Sequence, residues 1–133
     1  MALSSGNLDR ISTDVSTNKT LAAADSGIVQ NVIADAITIT LPATVVGMVF
    51  TIRNGGVKKT NGPAGSGDDG SVLVTVAPNA SDKIIGNGFT AADNKAALNT
   101  KATSRVGDYI TLVGDGVDGW FVQSISGTWA RQS

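Results

Sequence analysis

The sequence predicts an all-β domain because short β-branched runs recur along it, turn residues separate them, and aromatic side chains gather near the C-terminus. The run ITIT at 37–40 alternates apolar with polar residues, which is typical of a half-buried strand. Glycine, proline, asparagine and aspartate punctuate the chain between such runs. We therefore expect a compact sandwich or barrel of about six to nine short, mainly antiparallel strands with an extended N-terminal arm.

The arm is assigned to residues 1–18, and a single β domain is assigned to residues 19–133. The spacing of Leu8, Ile11 and Val15 fits one face of a helix, but the Ser, Thr, Asn and Asp residues between them favour caps and turns. The arm is therefore either a frayed terminus or a segment that becomes ordered on a partner surface. For the second case, the candidate contact residues are Leu3, Leu8, Arg10, Ile11 and Val15.

Strands are assigned along the domain from the apolar runs and the turns that bound them. Pro42 ends the strand that contains Ile37 and Ile39, because proline cannot donate to a sheet ladder. Residues 55–70 are rich in glycine and predict an exposed loop, whereas residues 87–104 fit either a short helix or a long loop. The predicted strands are 19–23, 28–33, 36–41, 48–54, 71–77, 83–86, 106–113, 120–125 and 127–131.

Residues 107–131 hold both tryptophans and the only tyrosine of a chain with 5% aromatic residues. Aromatic side chains bury the most area per residue, so this stretch is predicted to close the domain as a hairpin and a final strand. Trp120, Phe121 and Trp129 are the candidates for the core or for a trimer interface. The alternative for the two tryptophans is stacking on a sugar.

Composition argues against several classes of function. The net charge of −1 and the 16% of charged residues provide no basic stripe for nucleic acid or for an anionic membrane. The chain has no histidine and no cysteine, which excludes His- and Cys-based catalysis and zinc sites built from them. Calcium loops use spaced carboxylates among glycines, as in GDGVDG at 114–119, but the further ligands and the distal glutamate of such a loop are missing, so a simple hairpin turn is the better explanation. We expect no enzyme activity, no metal and no cofactor.

Targeting signals and core size give two further expectations. The N-terminus lacks the charged and apolar regions of a signal peptide, and no apolar run is long enough to span a membrane. The chain is therefore expected to be synthesised in a cytoplasm. Its core must be built mainly from valine and isoleucine, and such a thin core favours self-association, which buries further apolar surface.

Three stretches of the chain together resemble the structural proteins of tailed bacteriophages. A strand ending in LP precedes VG-x-x-FTIRN, then V-x-P is followed by I-x-G, and a DG turn leads into an aromatic strand and GTWAR. The pattern is similar to small head decoration (cement) proteins and to β-rich modules of phage fibres, and it contains no residue-level functional motif. The stretches are VQNVIADAITITLPATVVGMVFTIRNGG, VTVAPNASDKIIGNG and RVGDYITLVGDGVDGWFVQSISGTWAR.

The resemblance implies a homotrimer on the outer capsid surface of a virion, made in the host cytoplasm, that braces the major capsid protein. It also implies that the N-terminal arm orders on the capsid. The alternative is a fibre or receptor-binding module that recognises host-surface glycan. In that case the exposed aromatics and the loops at 55–70 and 87–104 carry recognition.

Overall fold

The computed structural model describes residues 11–57 and 72–133, which form eleven strands and one short 3-10 helix at Ala23–Asp25. The prediction of an all-β sandwich or barrel is confirmed, since the strands form the two mixed sheets of a sandwich, although they outnumber the expected six to nine. The strands are β1 (Ser12–Val15), β2 (Lys19–Thr20), β3 (Val29–Val32), β4 (Ile37–Thr40), β5 (Val49–Asn54), β6 (Val74–Ala77), β7 (Lys83–Ile85), β8 (Ala97–Asn99), β9 (Tyr109–Gly114), β10 (Gly119–Ser126) and β11 (Ala130–Arg131).

The first six strands alternate between the two sheets, so the chain winds as a short parallel coil. In one sheet β1, β3 and β5 lie side by side in parallel, and in the other β2, β4 and β6 do the same. Each turn of the coil therefore adds one strand to each sheet. The complete orders are β1-β3-β5-β9-β10-β7 and β11-β8-β6-β4-β2.

The expectation of mainly antiparallel pairing is wrong for these sheets. Among the strand pairs of the described ranges, five are parallel and four are antiparallel. The antiparallel pairs lie in the C-terminal half, where β9 pairs with β5 and β10 and where β8 pairs with β6 and β11. A two-residue alternation reports that one face of a strand is buried, and it does not report the direction of the neighbouring strand.

The core lies between the two sheets and is built from alternate residues of the central strands. In β4, Ile37 and Ile39 point inward while the two threonines lie at intermediate exposure. Phe50 and Trp120 provide the two largest buried side chains, and their ring centroids are 5.3 Å apart at an angle of 49°. Tilted pairs of this kind stabilise a core beyond the area that they bury. The other fully buried apolar residues include Val32, Leu41, Ile52, Val74, Val76, Ile110 and Leu112.

β1 at Ser12–Val15 belongs to the sheet although it lies inside the segment 1–18 that the sequence predicts as an arm. β1 pairs with β3 along its whole length, and Val15 at its end is only 5% exposed. Of the isolated apolar residues in this segment, Val15 therefore belongs to the sheet. Polar residues alternate with it because β1 is an edge strand whose other face points outward. Of the ambiguous segment 87–104, residues Ala97–Asn99 form β8, and the rest of it forms turns and loops without a helix.

Each sheet has two lateral edges formed by its outermost described strands. The parallel winding brings the edges of the two sheets together at two opposite lateral ends of the sandwich. We call the end formed by β1 and β2, the edge strands of the first coil, the N-terminal end. The opposite end is formed by β7 in one sheet and β11 in the other, and we call it the far end. Any surface used by the protein can therefore be placed at one end, at the other, or along the sides.

Candidate functional site

The three aromatic residues that the sequence singles out lie in different environments. Trp120 is fully buried and belongs to the core. Its neighbour Phe121 points to the opposite face of β10 and is 45% exposed. Trp129 is half-buried at the far end, where it packs against the edge of the core. The structure therefore assigns Trp120 to the core, while interface roles for Phe121 and Trp129 stay predictions.

Trp120 carries a polar group without a partner among the residues that the structure describes. Its indole Nε1–H is buried and has no hydrogen-bond acceptor there. An unpaired buried donor of this type costs on the order of 1–3 kcal/mol. Burial of the ring against Phe50 stabilises the fold by more than that cost. The fold therefore requires the volume of an aromatic ring at this position and does not require the indole nitrogen.

Within the part of the chain that the structure describes, the N-terminal end exposes an apolar side chain and a strand edge without a partner strand. Ile11, directly before β1, is 76% exposed, whereas Val15 is in the core and cannot reach a partner surface. The carbonyl oxygen of Ile11 accepts a hydrogen bond from Val29 of β3, and that of Val15 accepts one from Ile33, directly after β3. The residues that alternate with them, Ser12 and Asp14, therefore direct their backbone groups towards the open edge. The other arm candidates, Leu3, Leu8 and Arg10, lie outside the described residues.

Three exposed valines lie in the β9–β10 turn and in the loop before β5 that contacts this turn. Val46 is 76% exposed and lies over Gly116, next to Val117, which is 80% exposed. Val45 directly precedes Val46 in the loop before β5 and is half-exposed. Thr44 fixes the two loops together, since its Oγ1 donates to the Gly119 carbonyl at 2.6 Å and accepts from the Gly116 N–H at 3.0 Å. We call Val45, Val46 and Val117 the valine cluster.

The GDGVDG segment is a self-contained turn. Asp115 Oδ1 accepts hydrogen bonds from the backbone N–H groups of Val117, Asp118 and Gly119 at 2.8–2.9 Å. These bonds, the one from Gly119 first, hold the pKa of Asp115 below its ordinary value. The carboxylate is therefore used by its own loop. In the ranges 11–57 and 72–133 there is no group of three metal-ligating side chains.

A buried polar chain, which we call the Asn clasp, joins the two sheets and the C-terminal segment. Asn54 at the end of β5 donates to Asn99 Oδ1 of β8 at 2.9 Å. Asn99 Nδ2 in turn donates to Asp108 Oδ2 at 3.1 Å and to the Thr128 carbonyl at 3.0 Å. Asp108 Oδ2 also accepts the Arg105 N–H at 2.9 Å. Because Thr128 directly precedes Trp129, the clasp fixes the position of that ring.

A cleft of about 290 Å³ opens at the far end, between the edges of the two sheets. One wall follows β7 and contains Asn87, Gly88 and Phe89, and the other comes from the start of β11. The second wall contributes Trp129 and Arg131 together with Ala130. The cleft thus places two half-buried aromatic rings and a guanidinium group on one concave surface.

The first wall of the cleft is a tight turn with defined geometry. Asn87 and Gly88 have φ values of 51° and 86°, and the Phe89 N–H donates to the Gly86 carbonyl at 3.0 Å. Two successive positive φ angles are typical of a type I′ turn, for which Asn-Gly is the preferred pair. The second wall is held by the Trp129 Nε1–H, which donates to the Ser126 carbonyl at 2.9 Å, and by pairing of β11 with β8.

The sequence identified Trp129 by name and residues 87–89 only as part of the loop at 87–104, and it did not single out Asn87, Phe89 or Arg131. The Asn-Gly pair followed by an aromatic residue was the available signal, because it predicts a tight turn that displays the next side chain. Nothing in the sequence indicates that this turn meets β11, since the two walls are about forty residues apart. Only the sheet order brings them together.

Comparison of the chain with protein-family models, with curated proteins and with solved structures finds no match. In the part of the chain that the structure describes, no helix is long and apolar enough to cross a membrane.

Proposed function

We propose that the chain is a structural virion protein, a capsid decoration (cement) protein that binds the outer surface of the head as a trimer and stabilises it. Its partners in this proposal are the major capsid protein and two further copies of itself. The protein works mechanically, because modest contacts repeated over a lattice add up through avidity. It acts without enzymatic activity, on the capsid surface of the virion.

The observation that carries the proposal is the N-terminal end. Two strand edges, those of β1 and β2, have no partner strand among residues 11–57 and 72–133, and Ile11 is 76% exposed beside β1. Unpaired edges offer backbone donors and acceptors to a partner strand or loop, and an exposed apolar side chain adds contact area. This is the end at which the predicted arm joins the domain, so arm and edge form one continuous contact surface with the capsid.

The valine cluster supports the trimer. Val46 and Val117 are each more than three-quarters exposed, yet Thr44 and Asp115 hold their loops in a fixed position. Exposed apolar residues that are gathered and rigidly held favour burial against another subunit. Sedimentation velocity of the free protein tests this: we expect a trimer, which V46D together with V117D dissociates. A wild-type protein that stays monomeric at micromolar concentration contradicts the trimer.

Capsid binding is tested with undecorated heads of a tailed phage that encodes the protein. Purified protein is mixed with heads, the heads are sedimented, and bound protein is quantified together with the temperature at which heads rupture. Burial of one isoleucine contributes roughly 1.5–3 kcal/mol, so I11D is expected to weaken binding by about tenfold or more. V106D is the matched control, because Val106 is also exposed but lies in the loop before β9.

The proposal survives if wild type and V106D bind and raise the rupture temperature while I11D binds at least about tenfold more weakly. It fails if the wild-type protein does not associate with heads. Equal binding of I11D and wild type leaves the function standing but removes the N-terminal end from the contact.

The alternative, a fibre or receptor-binding module for host-surface glycan, is favoured by the cleft at the far end. Trp120 cannot take part in it, because the ring is fully buried. Trp129 can, since it is half-buried and lines the cleft. Specific binding on a glycan array that W129A abolishes, combined with no binding to heads, selects this alternative.

A further inference from the structure

The chain contains three Asn-Gly pairs, and the structure describes two of them, Asn54-Gly55 and Asn87-Gly88. Asparagine is chemically labile, because the backbone nitrogen of the next residue can attack its side-chain amide. A glycine in the next position has no side chain to shield that nitrogen. Because the two described pairs share the same two residues, a difference in their reactivity reports the fold around each pair.

The first pair is buried and fixed by hydrogen bonds. Asn54 Nδ2 donates to Asn99 Oδ1 at 2.9 Å, and Asn54 Oδ1 accepts from the Gly56 N–H at 3.0 Å. The Gly55 N–H donates to the Val32 carbonyl at 2.7 Å. The amide carbon and the nitrogen that would attack it are therefore both held in place, and the Asn54 side chain is out of contact with water. Reaction at this pair requires the end of β5 to open.

The second pair is exposed in the type I′ turn after β7. Neither the Asn87 side chain nor the Gly88 N–H forms a hydrogen bond with another described residue. A Cβ placed on Gly88 would meet no atom within 4 Å, so the space around the nitrogen is open. Among the described residues, the backbone bond across this turn is the one from the Phe89 N–H to the Gly86 carbonyl. Local opening of the turn therefore breaks few contacts.

We infer that Asn87 is a site of spontaneous deamidation in the folded protein. The deprotonated Gly88 nitrogen attacks Asn87 Cγ and forms a new C–N bond. The side-chain nitrogen takes up the proton that Gly88 has lost and leaves as ammonia, which closes a five-membered succinimide. Water then opens the ring at one carbonyl or the other and gives aspartate or isoaspartate. The reaction needs water alone as a co-reactant.

The reaction changes the charge of the cleft at the far end. Asn87 and Arg131 both line this cleft, and no acidic side chain lines it. Among the described residues, the one hydrogen bond of the Arg131 side chain goes to the Thr90 carbonyl. Deamidation places a carboxylate on the same concave surface as the guanidinium group, so the cleft loses its net positive charge. The inference goes beyond the capsid proposal and does not depend on it, because one copy of the chain contains all the reacting groups.

The test is tryptic peptide mapping by mass spectrometry after the full-length protein is incubated in mildly alkaline buffer, with and without guanidinium chloride. The three Asn-Gly pairs fall in separate tryptic peptides, which are 54–58, 60–83 and 84–95. Asn61, in the second peptide, lies outside the described residues and is not part of the comparison. In the native protein we expect Asn87 to be converted at least about tenfold faster than Asn54, whose hydrogen bonds must break first. In guanidinium chloride the two rates should be similar.

Asn94 is the control within the same peptide as Asn87. It is also exposed and has a positive φ of 56°, but Lys95 follows it, so it should stay intact. N87D supplies the marker for the aspartate product, and isoaspartate elutes as a second peak of equal mass. The inference is overturned if native Asn87 stays intact while Asn54 is converted in guanidinium chloride, or if native Asn54 or Asn94 reacts as fast as Asn87. It is also overturned if Asn54 remains slower in guanidinium chloride, because the fold is then not the cause of the difference.

Discussion

Replacing Asn99 by alanine removes the centre of the Asn clasp. Asn99 makes three side-chain hydrogen bonds, to Asn54, Asp108 and the Thr128 carbonyl, and its side chain is fully buried. At about 1 kcal/mol each, their loss lowers the free energy of unfolding by about 3 kcal/mol. That is a large part of the 5–15 kcal/mol that stabilises a domain of this kind.

The loss is measured by urea unfolding, with fluorescence of the buried Trp120 as the signal. N79A is the matched control, since Asn79 is exposed and its side chain makes no hydrogen bond in the structure. The control should change the free energy of unfolding by less than about 0.5 kcal/mol. If N99A lowers the free energy of unfolding by less than about 1 kcal/mol, the stabilisation assigned to the hydrogen bonds of the Asn clasp is refuted.

Three further outcomes follow from close contacts in the fold. G119A should lower the free energy of unfolding by about 3 kcal/mol in the same assay, because a Cβ there collides with the Lys83 backbone and separates β10 from β7. A decrease of less than about 1 kcal/mol would contradict this. Because the pKa of Asp115 is lowered in the folded state, its charged carboxylate stabilises the fold above the ordinary aspartate pKa, and this stabilisation is lost as the pH falls through the folded-state pKa. D115N should therefore lose less stability than wild type below about pH 4 in an acid titration. W120A should cost about 4 kcal/mol and W120F clearly less, since phenylalanine keeps a ring against Phe50 and removes the unpaired N–H; a loss in W120F as large as that in W120A would contradict this.

The sequence predicts the all-β class and most strand faces because burial of one face leaves a local pattern. Ile37 and Ile39 alternate with threonine in the sequence and lie in the core in the structure. The parallel winding leaves no such pattern. β4 pairs with β6 across the glycine-rich segment, with Ile37 opposite Val74, and this long-range choice depends on the whole sandwich.

The candidate site is less predictable than the fold for a related reason. Trp129 could be identified by its residue type, whereas Arg131 and Phe89 gain a role only because β11 and the turn after β7 meet at the far end. Asn54 and Asn99 are missed similarly: asparagine in a turn and asparagine in a buried clasp look alike in a sequence. Strands of two residues, such as β2 and β11, are too short to give any periodic signal.

Cryo-electron microscopy of heads saturated with the protein tests the central proposal most directly, because it reports both binding and orientation. The account predicts trimers of a small β-sandwich on the outer shell, with β1 and β2 facing the capsid and the cleft of Trp129 and Arg131 facing solvent. Bare heads would contradict the proposed function. Decorated heads in which β7 and β11 face the capsid would contradict the contact surface assigned to the N-terminal end.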